Sequence, residues 1–352
     1  MLNRLTYRQT YLLLTALLAV AVVLSAGVGA FSFAPATLWR YVEQGLGILP
    51  RDPADLLGRN VFFDLRLPRV LLSGLTGAIL GVSGTLMQGL FRNPIVEPGL
   101  AGTSAGASLG AAAVFVLGNT TMRVLSPLGA FAVPACAFLG GLAATLIVYR
   151  VSSGFGKVNV FTLLLAGIAV NAVCNAGTGF LSYVARDPQA RNITFWNLGT
   201  FTTAEWHGVT LVGVVFLICL AWALRQGKAL NALMLGEDEA AALGTDPRRL
   251  IVRLIVLNTL MVAVDAAMVG VVAFIGLVVP HVLRMARSSD YDFLIPASAL
   301  FGAALMEIID VAARLVIPPA ELPIGILTAI IGAPVFLWML LRQQARSDPA
   351  RG

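Results

Sequence analysis

Long apolar runs separated by short polar stretches recur along the whole chain. Because a helix needs about 20 mostly apolar residues to cross a bilayer, these runs predict membrane-spanning helices. They lie at about residues 11–31, 69–90, 99–118, 127–150, 160–183, 207–224, 250–268, 270–285, 294–316 and 324–341. The pattern predicts an all-α polytopic membrane protein of about ten transmembrane helices, and an even number of spans puts both termini on one side.

The first apolar run needs a separate interpretation, because Arg4 and Arg8 precede it as basic residues precede the core of a secretory signal. A signal core is about 7–15 residues long, whereas this run is close to 20. We therefore predict a retained first span. Most of the 24 lysines and arginines fall on the side of the termini, and this distribution predicts that both termini are cytoplasmic.

Composition agrees with a membrane protein: 58% of the residues are hydrophobic and 12% are charged. The net charge of +6 is spread over single residues and pairs, so it does not indicate nucleic-acid binding. The sequence has no G-x-x-x-x-G-K-[ST], no H-E-x-x-H and no Cys/His cluster. We expect neither cofactor nor metal, and no catalytic residues: a protein that moves its substrate rather than an enzyme.

Small residues predict where helices meet closely. Gly102, Gly106 and Gly110 repeat at every fourth position, and so do Gly77 and Gly81. This spacing places glycines on one helical stripe, where a second backbone can approach. The longest connections are 32–68, 184–206 and 225–249, so the whole chain, 1–352, is predicted to be a single transmembrane domain.

The connection at about 229–249 contains the polar, helix-prone stretch Leu235–Asp246. Gly244 and the following proline are typical of a helix end, so we predict a short helix outside the membrane. On residue type alone it is either an ordinary solvated connector or a surface for a partner.

Two further polar features flank the second span. Arg66-Leu-Pro-Arg69 precedes it, and these arginines are either interfacial anchors or a docking surface. Pro94, Pro98 and Gly99 follow it and predict that the backbone turns there.

Eight stretches, taken in order, resemble the permease family of the iron-siderophore, haem and cobalamin importers (type II importers, FecCD-like). The resemblance covers about residues 60–342. The stretches are Arg66–Arg69, Gln88–Gly102, Leu163–Gly167, Leu235–Gly244, Phe274–Arg284, Asp310–Arg314, Glu321–Gly325 and Gly332–Trp338.

The resemblance implies a homodimeric permease in the bacterial inner membrane, two cytoplasmic ATPase subunits and a periplasmic substrate-binding protein. It implies that Arg66, Arg69 and Arg314 meet acidic residues of the binding protein, whose attraction would steer docking. It implies that the ATPase is engaged by the segment containing Gly236, Glu237, Glu239, Ala240, Ala241 and Gly244. It implies gates at Asn93 and Ile95 and near Asn159, Val160 and Phe161, although an apolar pair at 160–161 departs from relatives with small hydroxyl residues there.

Polar residues inside the spans are functional candidates. Asn171 and Asn175 share a helical face with Thr178, and we favour pore lining over helix–helix bonding. Glu307, Asp310 and Arg314 share another face, where an Asp310–Arg314 pair is expected to position Arg314 at the outer surface.

The predicted function is ATP-driven import by alternating access. The stretch Ile193–Gly199 lies where the family places a short helix beside the pathway, and it favours haem over siderophores or cobalamin. The alternative is an ion- or proton-coupled secondary transporter using Asp265, Glu307 and Asp310, and Asp265 has no assigned role. An intramembrane enzyme is a third class, for which no catalytic pair is evident.

Overall fold

A computed structural model describes residues 6–29, 31–153, 158–318 and 320–347. Within those ranges the chain forms α-helices joined by short turns, without β-strands. The first five are α1 (Tyr7–Gly27), α2 (Pro35–Gly45), α3 (Leu56–Asn60), α4 (Leu67–Leu90) and α5 (Thr103–Leu125). The next five are α6 (Ala132–Ser152), α7 (Val160–Val184), α8 (Gln189–Asn197), α9 (Trp206–Ala223) and α10 (Gly227–Leu233). The last five are α11 (Glu237–Ala242), α12 (Pro247–Val269), α13 (Ile275–Ala286), α14 (Tyr291–Leu315) and α15 (Ile324–Ser347).

Each of the ten predicted apolar runs contains a helix, and the all-α fold is confirmed. Seven helical stretches among the described residues are long and apolar enough to cross a membrane. Three shorter apolar helices, Thr103–Gly118, Ile275–Ala286 and Ile324–Trp338, occupy the other runs. The seventh and eighth apolar runs almost touch in the sequence, yet the helices are separate, because α12 ends at Val269 and α13 begins at Ile275.

Local sequence explains where the helices begin. Thr6 and Gln9 form a capping box at the start of α1, each side chain accepting a hydrogen bond from the other's backbone N–H. Asp246 accepts from the backbone N–H of Arg249, with Pro247 in the first helical position of α12. These caps satisfy donors that the first helical turn cannot pair.

The centre of the bundle is α4, which packs against α14, α12, α13 and α9. Its glycines allow this: a Cβ at Gly77 would overlap the backbone carbonyl of Gly302 on α14. In the same way, a Cβ at Gly106 of α5 would overlap the carbonyl of Gly140 on α6. The predicted glycine stripes are therefore confirmed as sites of close helix approach, except that Gly102 lies in the turn before α5.

The connection 32–68, predicted only as a long loop, is itself folded. It contains α2, α3 and a π-helical turn at Val61–Arg66. Phe33, Tyr41 and Phe62 form a small aromatic core beneath it, with Phe33 edge-on to both other rings. These aromatic residues are visible in the sequence, but they stand far apart and form no apolar run of spanning length.

In contrast to α4, α7 is largely bare. Its window of spanning length is 22% buried, whereas that of the Leu56–Leu90 stretch is 83% buried. Phe161, Val173, Phe180 and Tyr183 are all exposed by 63% or more. An apolar helix with so little cover within its own chain faces lipid or another protein.

Candidate functional site

A cluster of charged side chains lies where α1 ends, α4 begins and α14 ends; we call this the arginine end. Arg69 donates to Asp310, with Nη2 at 2.8 Å from Oδ1. It also donates to Glu321, with Nη1 at 2.8 Å from Oε2. Asp310 is fully buried, whereas the side chain of Glu321 is 33% exposed. Arg69 thus joins an internal carboxylate to one at the protein surface.

Arg66 and Arg314 both fasten the end of α1. Arg66 donates to the carbonyl oxygens of Val28 and Phe31, at 2.7 and 3.0 Å. Arg314 donates to the carbonyl oxygens of Ser25 and Val28, at 3.1 and 2.6 Å. These carbonyls lie at or just past the helix end, where intrahelical partners are lacking, so the guanidinium groups satisfy them.

The expected Asp310–Arg314 pair is present, with Nη2 at 3.1 Å from Oδ2. The pair was expected to position Arg314 at the outer surface, and this is not observed. The Arg314 side chain is 3% exposed and turns inward. The physical reason is the set of carbonyl groups at the end of α1, which the sequence pattern on α14 does not show. Arg66 is likewise buried, so neither residue is an interfacial anchor.

A polar recess of about 280 Å³ lies between α5, α7, α8 and the turn that precedes α5. The polar side chains that line it are Glu97, Ser104, Ser108, Asn171, Asn175 and Asn197. Both predicted asparagines of α7 are therefore in one cavity. Asn175 is exposed, and Thr178 instead turns back to bond the carbonyl of Cys174, at 2.9 Å.

The turn at 97–99 is held from three sides. The backbone N–H of Phe274 donates to Glu97 at 2.7 Å, which secures the start of α13. Asn258 of α12 donates to the carbonyl of Pro98, and Asn171 of α7 donates to that of Gly99, each at 3.3 Å. Burial raises the pKa of the Glu97 carboxyl, and the hydrogen bond from the backbone N–H of Phe274 opposes this effect.

Asn171 thus lines the recess and also bonds the turn before α5, whereas pore lining by Asn171 and Asn175 stays a prediction. Glu97 and Asn258 were not singled out from sequence. Glu97 bonds Phe274, and Asn258 bonds Pro98, and in each pair the two residues are 160 or more positions apart along the chain. Sequence alone does not show that such distant residues meet.

The first predicted gate lies directly before this turn. Asn93 accepts a hydrogen bond from the backbone N–H of Ile95 at 3.0 Å. Ile95 packs against a small apolar cluster that includes Leu277 and Val278 of α13. Asn93 is exposed, so its side chain shapes the loop rather than filling a core.

The second predicted gate lies at the start of α7. Asn159 caps the helix by accepting from the backbone N–H of Thr162 at 3.0 Å. Val160 packs against the main core, and Phe161 is 69% exposed. The structure therefore gives Asn159 a capping role, while a gating role at 159–161 stays a prediction.

The predicted short helix in the 235–246 stretch is confirmed as α11. Gly236 and Gly244 bracket it, with φ of +139° and +84°, backbone conformations that favour glycine. Glu237, Glu239 and Ala241 are exposed, whereas Ala240 is fully buried. Arg92, next to Asn93 of the first predicted gate, lies 3.9 Å from Glu237. The loop that holds Asn93 and Ile95, which we call the gate loop, is therefore a neighbour of α11. Both lie at the end of the bundle opposite the arginine end.

Two of the three buried acids of α12 and α14 have clear partners, whereas the fully buried carboxylate of Glu307 has no hydrogen-bond partner in the described part of the chain. Asp265 accepts from the hydroxyl of Thr76 on α4 at 2.6 Å, a partner that the sequence did not reveal. Asp310 is paired with two arginines. Within the described part of the chain, no group of three or more His, Cys, Asp or Glu side chains is placed to hold a metal ion.

Fold and site together define an α-helical membrane permease, with a polar recess beside a loop that contacts a short surface helix. The chain belongs to the FecCD transport family, which it matches over residues 17–342. Members of this family are the membrane subunits of ABC importers, which work with ATPase and substrate-binding proteins. The chain is therefore not itself the ATPase.

Two curated relatives have the same percentage identity to it, over different shares of the chain. The hemin transport system permease protein HmuU of Yersinia pestis is 40% identical, over 96% of this chain and 97% of that protein. The vitamin B12 import system permease protein BtuC of Salmonella typhi is also 40% identical, over 84% of this chain and 88% of that protein.

Solved structures agree. A metal-chelate type ABC transporter in an inward-facing conformation has a TM-score of 0.80 and 30% identity, and covers 96% of this chain and 99% of its own. PsaBC from Streptococcus pneumoniae shares the fold, with a TM-score of 0.53 and 20% identity over 76% of this chain and 88% of its own.

Proposed function

We propose that this chain is the permease subunit of a binding-protein-dependent importer for a metal chelate, in the bacterial inner membrane. Two copies form the pathway, and ATP hydrolysis in partner subunits switches it between outward and inward access. The observation that carries the proposal is the proximity of α11 to the gate loop, through Arg92 and Glu237. A movement of α11 would be transmitted through the Arg92–Glu237 contact to the neighbouring residues Asn93 and Ile95.

The exposed acids of α11 provide the surface for the ATPase. Glu237 and Glu239 project from a helix whose Ala240 is buried, so the helix is seated on the bundle and moves with it. The glycines at both ends give this helix backbone hinges. Rigid seating with hinged ends is suited to transmitting movement rather than merely connecting spans.

The arginine end provides the docking surface for the binding protein. Arg66 and Arg314 are held inside, so the group nearest the surface is Arg69, whose second partner is the half-exposed Glu321. An acidic residue of the binding protein would approach Arg69 from the side of Glu321. We propose that Arg66 and Arg314 support this docking by fixing the end of α1, and that Arg69 makes the direct contact.

The bare apolar face of α7 is the proposed dimer contact. It is the least covered of the long helices, and it carries Asn175 at the mouth of the polar recess. A second copy against this helix would enclose a pathway with a recess in each wall.

The rival function, ion- or proton-coupled transport, requires acids that are free to exchange protons. Asp310 is pinned between Arg69 and Arg314, and Asp265 is bonded to Thr76. Both arrangements suit structural roles. Glu307 has no such partner among the described residues, so the rival function rests on that one acid. The cargo names of the two relatives tie at 40% identity, so they support a metal chelate without choosing between haem and cobalamin.

The test is ATP hydrolysis and cargo uptake by the reconstituted permease–ATPase complex, with and without its binding protein. We expect stimulation by the binding protein, and its loss in Glu239→Arg. The matched control is Asp238→Arg, which changes charge equally at the adjacent exposed position of α11 and should retain most of the stimulation.

Uptake that proceeds without any ATPase subunit would contradict the proposal. It would transfer the mechanism to the intramembrane carboxylates. Equal losses in Glu239→Arg and Asp238→Arg would show that only the net charge of α11 matters, and would remove the specific role of Glu239.

A further inference from the structure

We propose that the polar recess receives peripheral groups of the cargo, and that it accepts uncharged hydrogen-bonding groups such as carboxamides in preference to carboxylates. This inference rests on the proposed import function, because cargo meets the recess only if the chain lines its pathway. It distinguishes between the chemical classes of cargo that the relatives' names leave open.

The lining offers matched donors and acceptors. Three carboxamides, those of Asn171, Asn175 and Asn197, face a cavity that also contains the hydroxyls of Ser104 and Ser108. An amide both donates and accepts hydrogen bonds, and so does a hydroxyl. Ser108 already donates to Oδ1 of Asn197, so Ser104 and the exposed Asn175 are the lining groups best placed to bond cargo. A carboxamide, hydroxyl or hydroxamate group on the cargo can therefore replace its lost water contacts with contacts of the same kind.

Part of this hydrogen-bonding capacity is unused. Asn171 spends its Nδ2 on the carbonyl of Gly99, and its Oδ1 has no hydrogen-bond partner in the described part of the chain. An acceptor left without a partner in a protein interior is costly, and this oxygen is itself buried, so a cargo donor would reach it only when the recess opens slightly. A carboxylate has no proton to supply.

The charge of the lining also selects against carboxylates. Among the described residues that line the recess, Glu97 is the one ionisable residue, and none is an arginine, lysine or histidine. A carboxylate that entered would lose hydration without gaining a cation, and it would lie near a second acid. The recess thus disfavours anionic groups twice.

Size and access fit a side group rather than a whole chelate. A cavity of about 280 Å³ is at the lower limit of pockets that enclose entire small ligands. Asn175, at its mouth, is exposed on the bare helix α7. The macrocycle or siderophore core would remain in the central pathway, while its substituents contact the recess.

This chemistry separates the two cargo classes of the relatives. Haem carries two carboxylates, whereas cobalamin carries carboxamides around its ring. The recess therefore favours an amide-bearing corrinoid or a neutral hydroxamate chelate, and it opposes the haem preference that Ile193–Gly199 suggested. Of that stretch, Asn197 lines the recess, whereas Phe195 and Trp196 do not.

The experiment uses cargo pairs that differ only in this group: cyanocobalamin and its monocarboxylate, and haem and its bis-amide. Each is loaded on the binding protein, and uptake into proteoliposomes with permease and ATPase is measured as an acid-to-amide ratio. The same binding protein serves wild type and variants, so comparing their ratios cancels its own selectivity. Binding-protein-stimulated ATP hydrolysis is recorded in every sample.

We expect Asn175→Lys to raise the acid-to-amide ratio about fivefold, the effect of one nearby charge in a wet site. Asn175→Asp should lower it. Asn192→Lys, on the exposed face of α8 and outside the recess, is the matched control and should leave the ratio unchanged. Retained ATPase stimulation shows that each variant is folded and coupled.

An unchanged ratio in both Asn175 variants, or an equal shift in Asn192→Lys, would overturn the cargo inference and leave the import function standing. Absence of binding-protein-stimulated ATP hydrolysis and uptake in the wild type, with every cargo, would instead overturn the proposed function.

Discussion

The guanidinium of Arg69 lies 2.8 Å from the carboxylate of Asp310, and the carboxylate is completely buried. A residue expected only at a docking surface is therefore also part of the interior. Because Asp310 pairs with Arg314 as well, one carboxylate bridges two cations that come from α4 and α14. The arginine end is a structural junction first, and any docking surface is built upon it.

We expect Asp310→Asn to lower the free energy of unfolding by about 3 kcal/mol, since removing one member of a buried ion network leaves the others uncompensated. Denaturant or thermal unfolding in detergent measures this. The control is Arg40→Gln, which breaks the exposed Arg40–Asp55 pair and should cost less than about 1 kcal/mol. Equal losses in the two variants would show that the buried network adds nothing special.

Glu321 competes for Arg69 with any docking acid, because it already occupies Nη1. We expect Glu321→Gln to tighten binding of the substrate-binding protein about threefold at low salt, with the gain fading as salt rises. Affinity titrations at several ionic strengths give both numbers. Glu205→Gln removes the same charge from an exposed residue that forms no ion pair with Arg69. If it tightens binding equally, net charge rather than Arg69 is responsible.

The fold was largely predictable because bilayer-spanning helices are written as long local runs. The ten apolar stretches, the glycine stripes and α11 all depend on residues close together in sequence. The folded 32–68 connection was missed since its aromatic core, Phe33 with Tyr41 and Phe62, is assembled from short pieces with no periodic signal.

The site was predictable only in part, for a related reason. Sequence placed Asn171 and Asn175 on one helical face, and the structure brings both to the recess. It could not show Glu97 reaching Phe274, or Arg66 and Arg314 reaching the carbonyls of α1, since these contacts join distant segments. The pattern of charged and polar residues identified the candidate site residues. Their contacts depend on which of them the fold buries, and this is not visible in the sequence.

The contact between α4 and α14 depends on Gly77 lying against the carbonyl of Gly302. Because the obstacle is backbone, it cannot turn aside, and we expect Gly77→Ala to destabilise the protein by about 2 kcal/mol. Gly179→Ala, on α7, is the matched control, since a Cβ there meets nothing within 4 Å. It should change stability by less than about 0.5 kcal/mol. Thermal unfolding of both variants decides whether this close approach matters.

The Glu97 carboxyl has a raised pKa, caused mainly by burial. A raised pKa in the folded state means that the protonated form stabilises the fold, and this contribution is lost as the pH rises from the ordinary value of 4.5 through the folded value. Glu97→Gln cannot ionise, yet its amide oxygen can still accept from the N–H of Phe274. We therefore expect the variant to match wild type near pH 4.5 and to become progressively more stable than wild type toward pH 8.

Melting temperatures across this range measure the difference, with Glu43→Gln in α2 as a control for general carboxyl effects. If the wild-type and Glu97→Gln curves stay parallel, Glu97 is ionised at no cost, and its role at the 97–99 turn is that of an ordinary hydrogen-bond acceptor.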